Sequence, residues 1–133
     1  MAGVALAWYA RQSLPQTDGE LRLPGLRAAV EVRRDASDVT HIQARDPRDA
    51  WMAMGYVHAQ ERLFQMEMIV RVVTGRVSEV AGPVALNSDV FWRKFEFDSL
   101  APLWYAGLAD SMPQITSRME AYAAGINAYK ASM

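Results

Sequence analysis

Alternation comes first along this chain. Val30 and Val32 alternate with Glu31 and Arg33, the pattern of a half-buried strand. Asp35 to Asp38 reads as a turn, and Thr40 to Ala44 as a returning strand, which predicts a β-hairpin from about Ala29 to Ala44. The period then changes. Asp46-Pro47-Arg48-Asp49 is a helix start: Asp46 can accept from the first free backbone N–H groups, Pro47 fits the first helical position, and Asp49 complements the positive end. Nothing from there to about Val73 breaks a helix except the tolerable Gly55. Ala59, Leu63, Met66, Val70 and Val73 form one apolar stripe, and Val57, Phe64, Met68 and Val72 a second. Two narrow polar stripes separate them, so this helix is expected to lie between packing partners rather than with one broad wet face.

Shorter helices should follow. Gly75 ends the long one, Arg76 to Ala81 makes a short one, and Gly82-Pro83 stops it. Asn87 or Ser88 can cap a helix running through Asp89, Phe91, Trp92 and Phe95, and Ser99 can cap another from Leu100 to Asp110. Pro113 opens the last, where Ile115, Met119, Tyr122, Ile126 and Tyr129 recur as a buried stripe. Residues 11 to 25, punctuated by Pro15, Gly19, Pro24 and Gly25, form a connector. The expected class is α+β, mostly helical, with one hairpin and about five helices. A lone hairpin is not stable in water, so helices must cover it or its edge must pair with other strands.

Composition narrows the functions. The 133 residues suit a single domain, and a net charge of -1 gives no field to attract nucleic acid. With no cysteine there is no disulfide, thiol nucleophile or thiolate metal site. Met1 to Ala10 is apolar and stops at Arg11, too short to span a bilayer and without a basic start. It reads as the end of a truncated export signal or anchor, the alternative being a frayed apolar terminus. The division expected is residues 1–25 as that remnant plus connector, and residues 26–133 as part of a larger domain.

Candidate chemistry is thin. His41 and His58 lack the spacing of metal ligands; His41 should hydrogen-bond within the hairpin, and His58 should sit in a polar stripe with Arg62. Asp35 is explained by the turn, and Asp46 and Asp49 by the helix start, rather than by acid–base work. Glu61 can pair with Gln65, and Glu67 with Arg71, one turn apart, as buried polar groups or as a brace for an active site. Trp51, Met52, Met54, Phe64, Met66 and Met68 suit an apolar core better than an acyl pocket. No residue is therefore assigned as catalytic, cofactor-binding or metal-binding.

The segment from Gly55 to Glu67, Gly-Tyr-Val-His-Ala-Gln-Glu-Arg-Leu-Phe-Gln-Met-Glu, resembles the signature helix of the penicillin amidase family. Val32 to Asp35, His41-Ile42, Gly75 to Glu79 with Gly82, Asp89 with Arg93, and Ala121 to Ala128 resemble its other segments, in order. Asp38 and Thr40 stand where the family's turn has Gly and Pro, and Val70 where many members have the first of two arginines. Asp38 can keep the turn because Asp tolerates positive φ. The resemblance implies the amino-terminal, small-chain part of an αββα N-terminal-nucleophile hydrolase, made as a precursor and cut internally. In such enzymes the N-terminal Ser of the large chain attacks an N-acyl amide, such as a β-lactam side chain or an acyl-homoserine lactone, with its own α-amine as base. The implied partners are that catalytic β-chain and a small amide substrate, with no nucleic acid and with a membrane anchor upstream as one option. Calcium, where the family binds it, is held by later residues, so no cofactor is expected in this segment. The implied location is periplasmic or exported, and this chain alone should be inactive. The competing expectation is a non-enzymatic helical binding or regulatory remnant.

Overall fold

The structure, a computed structural model, describes residue 16 and residues 18–133. The expected export remnant at Met1 to Ala10, and the start of the connector, lie outside those residues. β1 (Glu31–Arg34) and β2 (Thr40–Gln43) pair antiparallel with Val32 opposite Ile42 and Arg34 opposite Thr40. Asp35 makes the turn as expected: its Oδ1 accepts from the Ser37 and Val39 N–H groups at 2.9 and 3.0 Å, and Asp38 takes φ 61°. Arg34 reaches from β1 to Glu61, tying the hairpin to the long helix.

That helix, α1 (Pro47–Val73), starts as its sequence predicts, with Asp46 accepting from the Arg48 N–H at 2.8 Å and Pro47 in the first turn. It does not run unbroken. Arg62 leaves helical geometry (φ -135°, ψ 18°), although neither proline nor glycine stands there. All of the helix's buried residues, Asp49, Met52, Ala53, Gly55, Val57 and Ala59, precede that kink. The expected sandwich is thus only partly present: within the described residues, the second half of α1 is at most half-buried.

Gly75 terminates α1 in a Schellman cap. Its N–H donates to Val72 O at 3.1 Å, the Arg76 N–H donates to Arg71 O at 2.7 Å, and φ is 63°. A Cβ here would also lie 2.6 Å from the Asp89 carbonyl oxygen and from Arg93 Cγ. Gly75→Ala is therefore expected to cost about 2 kcal/mol, from αL strain together with crowding. Urea unfolding followed by far-UV circular dichroism checks it; an unshifted midpoint would show that the cap is not strained by a side chain.

After it come α2 (Ser78–Ala81), a 3-10 turn (Gly82–Ala85), α3 (Leu86–Arg93), α4 (Phe97–Ser111) and α5 (Pro113–Ala131). Two expected caps are corrected. α3 begins at Leu86, ahead of Asn87 and Ser88, and no side chain caps it. α4 begins at Phe97, so Ser99 is already inside it, and Glu96 precedes it in the left-handed region (φ 52°). The reason is that backbone carbonyls take these N–H groups: α3 continues directly from the 3-10 turn, with the Leu86 N–H donating to Pro83 O, and in α4 the Ser99 and Leu100 N–H groups donate to Glu96 O.

The core lies where α1 crosses α5. Met52, Ala53, Val57, Ala59 and Ala121 are its buried apolar residues. The stripe expected on α5 is only partly right: Ile115 and Met119 are exposed, and Tyr122, Ile126 and Tyr129 are half-buried. The buried positions are Thr116, Ala121 and Gly125. A Cβ on Gly125 would sit 1.9 Å from Met52 O, and one on Gly55 2.0 Å from Tyr122 O. The two backbones approach too closely for large side chains in the seam, so the large residues flank it, as Tyr56 and Tyr129 do edge-on at 5.4 Å. No described helix is long and apolar enough to cross a membrane.

Candidate functional site

The carboxylates are the most informative groups, and each is committed to holding chain segments. Asp49 was expected to complement the helix end. It does stand in the first turn of α1, but it is also sealed from solvent, and the side chain that caps the helix is that of Asp46. Oδ1 accepts from the Arg27 N–H at 3.1 Å, and Oδ2 accepts from Arg27 N–H at 3.1 Å and Ala28 N–H at 2.9 Å. Arg48 donates to Gly25 O at 2.9 Å, and Arg27 donates to Asp46 at 2.8 Å. Residues 25–28 are thereby stapled to the first turn of α1. Asp46 and Asp49 both accept from backbone N–H groups, as a structural role at the helix start implies.

Asp89 repeats the arrangement at the other end of α1. Buried between α3 and the start of α2, it accepts from the Val77 and Ser78 N–H groups at 2.8 Å each and from the Ser78 hydroxyl. Burial pushes its carboxyl up, but the Ser78 hydroxyl, the two N–H groups and nearby Arg93 outweigh this and hold it below the ordinary carboxylate value. Arg93 in turn donates to Gly75 O at 2.9 Å. The Asp and Arg singled out in the sequence therefore fasten the 75–78 segment. Because the folded pKa is depressed, this contribution is complete above the ordinary carboxylate range and fades as pH falls through the lowered folded value. Hydrogen-exchange protection of the Val77 and Ser78 amides is expected to fall in that acid window, and to be weak at every pH in Asp89→Asn. Equal protection in the variant would contradict the assignment.

The polar cluster on α1 is divided between two neighbours. Glu61 is engaged by Arg34 of β1 rather than by Gln65. Glu67 pairs with Arg71 at 2.8 Å as the spacing predicts, and also with Lys130 of α5. Lys130 and then Arg71 keep the Glu67 carboxyl below its usual range. The Arg71 Nε is buried and finds no acceptor. His41 binds Asp35 at 2.9 Å inside the hairpin, as expected, which with the turn N–H groups lowers the Asp35 carboxyl. His58 is exposed along with Arg62, as a shared polar stripe implies, and its ring meets the Tyr122 hydroxyl at 3.0 Å.

The apolar candidates separate. Met52 is core, but Phe64 and Trp51 are exposed and Met54, Met66 and Met68 only half-buried, so they form neither the expected core nor a pocket. Two shallow recesses, one along Ala29–Val32 and Gln43–Arg45, the other beside Trp92, Arg93 and Phe97, have no histidine or methionine in their walls. Among the described residues no three His, Cys, Asp or Glu side chains gather where a metal ion could sit. What reading the sequence missed is the tight seam. Its signal was present as small residues four apart, Gly55 with Ala59 and Ala121 with Gly125, all buried.

Residues 29–133 match the family model described as penicillin amidase. The chain is 38% identical over 120 residues to the penicillin acylase 2 proenzyme of Pseudomonas sp. (strain SE83), covering 90% of this chain and 15% of that protein. It is 38% identical over 117 residues to the acyl-homoserine lactone acylase QuiP of Pseudomonas aeruginosa PAO1, covering 88% of this chain and 14% of the relative. It superposes on the thermostable penicillin G acylase of Alcaligenes faecalis with TM-score 0.66 and 31% identity, covering 76% of this chain and 52% of that one. The chain thus spans about 15% of the length of the curated relatives it matches.

Proposed function

The chain belongs to the penicillin amidase family, and from that premise we propose that it is the amino-terminal small-chain part of an amidohydrolase that cleaves N-acyl amides. The observation that carries this is the ordered match over residues 29–133, against relatives about seven times as long in which it occupies a small share. The two relatives named as acylases of penicillin and of acyl-homoserine lactones set the substrate class proposed: an acyl group joined through an amide to a small amine. The nucleophile is an N-terminal Ser on a larger chain, freed by cleavage of a precursor, with its α-amine as base. Backbone and Asn donors on that larger chain hold the oxyanion. The protein works outside the cytoplasm, and any calcium is held by residues outside this segment.

In this scheme the chain contributes form rather than reacting groups. Asp49 and Asp89 fix the segments at the two ends of α1, and the Arg34–Glu61 pair sets the hairpin against it. The expected result is that the purified 133-residue chain leaves chromogenic phenylacetyl and long-chain acyl anilides intact, while the assembled precursor product hydrolyses one of them. Turnover by the pure chain, surviving replacement of every serine and histidine in turn, would overturn the mechanism. An assembled product that binds but never hydrolyses either anilide would favour the non-enzymatic module.

A further inference from the structure

α4 is a weak helix by its own sequence. Pro102 stands in its interior, where it removes the hydrogen bond to the Asp98 carbonyl and crowds that group. Gly107 follows, with open space around it. No residue of α4 is buried, and Phe97, Leu100, Leu108 and Ala109 are half-buried. A 15-residue helix of this make-up is marginal in water without a covered side. Among the described residues one hydrogen bond joins it to another helix: the Tyr105 hydroxyl donates to Glu120 of α5 at 2.5 Å, and both side chains are exposed. The Ser111 hydroxyl bonds only within the helix, to Gly107 O. Both ends are joints. The chain enters α4 through Glu96 in the left-handed region (φ 52°, ψ 35°), without a side-chain cap, and leaves it through Met112 (φ -141°, ψ 64°). α5 is held differently, with Thr116, Ala121 and Gly125 buried and its backbone against that of α1. Sparse burial and exposed bonds are the marks of a segment that opens before the rest.

We infer that α4 is a latched flap. It lets go of α5 and unwinds as a unit between Glu96 and Met112 while α1 and α5 stay packed. The Tyr105–Glu120 bond is the latch, and opening makes residues 103–105 the preferred cutting site for an endopeptidase that cleaves after large apolar residues. The cut is a hydrolysis in which water adds across the broken C–N bond, so no other reactant is consumed. The inference does not depend on the amidohydrolase reading. Exposure alone would select a different site, because Phe64 is 74% exposed, Trp104 64% and Tyr105 38%. Phe64, however, lies in a helix fastened at both ends, by Asp46 and by the Gly75 cap. A protease takes an extended segment into its cleft, so the population of the open form decides where it cuts.

The test is limited digestion with chymotrypsin, read by mass spectrometry, on the full chain alone and assembled with the rest of its precursor. Within residues 29–133, the first cuts should follow Leu103, Trp104 or Tyr105 in both preparations. Hydrogen exchange should show the amides of residues 103–111 at least about 100-fold less protected than those of residues 121–128. Tyr105→Phe keeps a cutting residue and removes the latch, so it should quicken nicking about five-fold. Glu120→Ala should do the same, and the two together no more than either alone, because both remove one bond. Pro102→Ala restores the missing N–H and should slow nicking by at least about ten-fold. That change strengthens the helix, so its effect does not come from misfolding. First cuts after Phe64, Phe91 or Phe95 would mean that exposure decides, and would overturn the flap. So would equal protection of α4 and α5, a preference confined to the isolated chain, unchanged nicking in Tyr105→Phe, or nicking of Pro102→Ala as fast as that of the parent.

Discussion

Gly125→Ala is expected to pry α1 from α5 and to lower the urea midpoint of unfolding sharply. The added Cβ would stand 1.9 Å from Met52 O, and the obstacle is backbone, which no rotamer change relieves. Overpacking of this kind costs about 3 kcal/mol or more, against about 1 kcal/mol that alanine gains over glycine in a helix. The net loss is about 2 kcal/mol or more, a large part of the stability of a small domain. Gly55→Ala should behave alike, since its Cβ would meet Tyr122 O at 2.0 Å. Gly107 supplies the opposite sign. It lies within α4 with nothing within 4 Å of a built Cβ, so Gly107→Ala should stabilise by about 0.5–1 kcal/mol. Urea midpoints of the three variants decide the matter. A Gly125→Ala midpoint at or above that of the parent would sink the close crossing.

Asp49→Ala should free the connector from α1. Two N–H groups, of Arg27 and Ala28, make three contacts with this one buried carboxylate, and truncation leaves both donors without that acceptor. Hydrogen bonds to a charged acceptor contribute about 1.5–3 kcal/mol each and do not simply add, so a loss on the order of 3 kcal/mol is expected. Asp49→Asn should recover little, because its amide turns a donor toward other donors. Asp46→Ala, which removes only a helix cap and an exposed ion pair, should cost about 1 kcal/mol. If the loss falls on local opening, tryptic cleavage after Arg22 and Arg27 should quicken by about two orders of magnitude in Asp49→Ala. Cleavage no faster than in Asp46→Ala would mean that the connector is held by something else.

The hairpin, the Asp46-Pro47 helix start, the Gly75 stop and the Pro113 start were all legible in the sequence. Each depends on neighbours within a few residues: alternation of side chains, an acceptor beside free N–H groups, one residue able to take φ 63°. The family was legible for a different reason, the order of several short motifs along the chain. The inward side of α5 was not legible. Ile115, Met119 and Tyr122 have the better apolar period, but the backbone of α1 is too near for them, and Ala121 and Gly125 take the seam. Nor were the partners of Asp49 and Asp89, which lie more than ten residues away in sequence and are set by how the connector and α2 fold back. The same limit applies to the two stripes of α1. Their period announces that both sides are to be covered, but which half is covered by α5 depends on the small residues of the crossing. Local patterns thus determined where elements begin, end and turn. Only the tertiary structure decided which faces meet, because that choice is made by backbone approach between segments far apart in the chain.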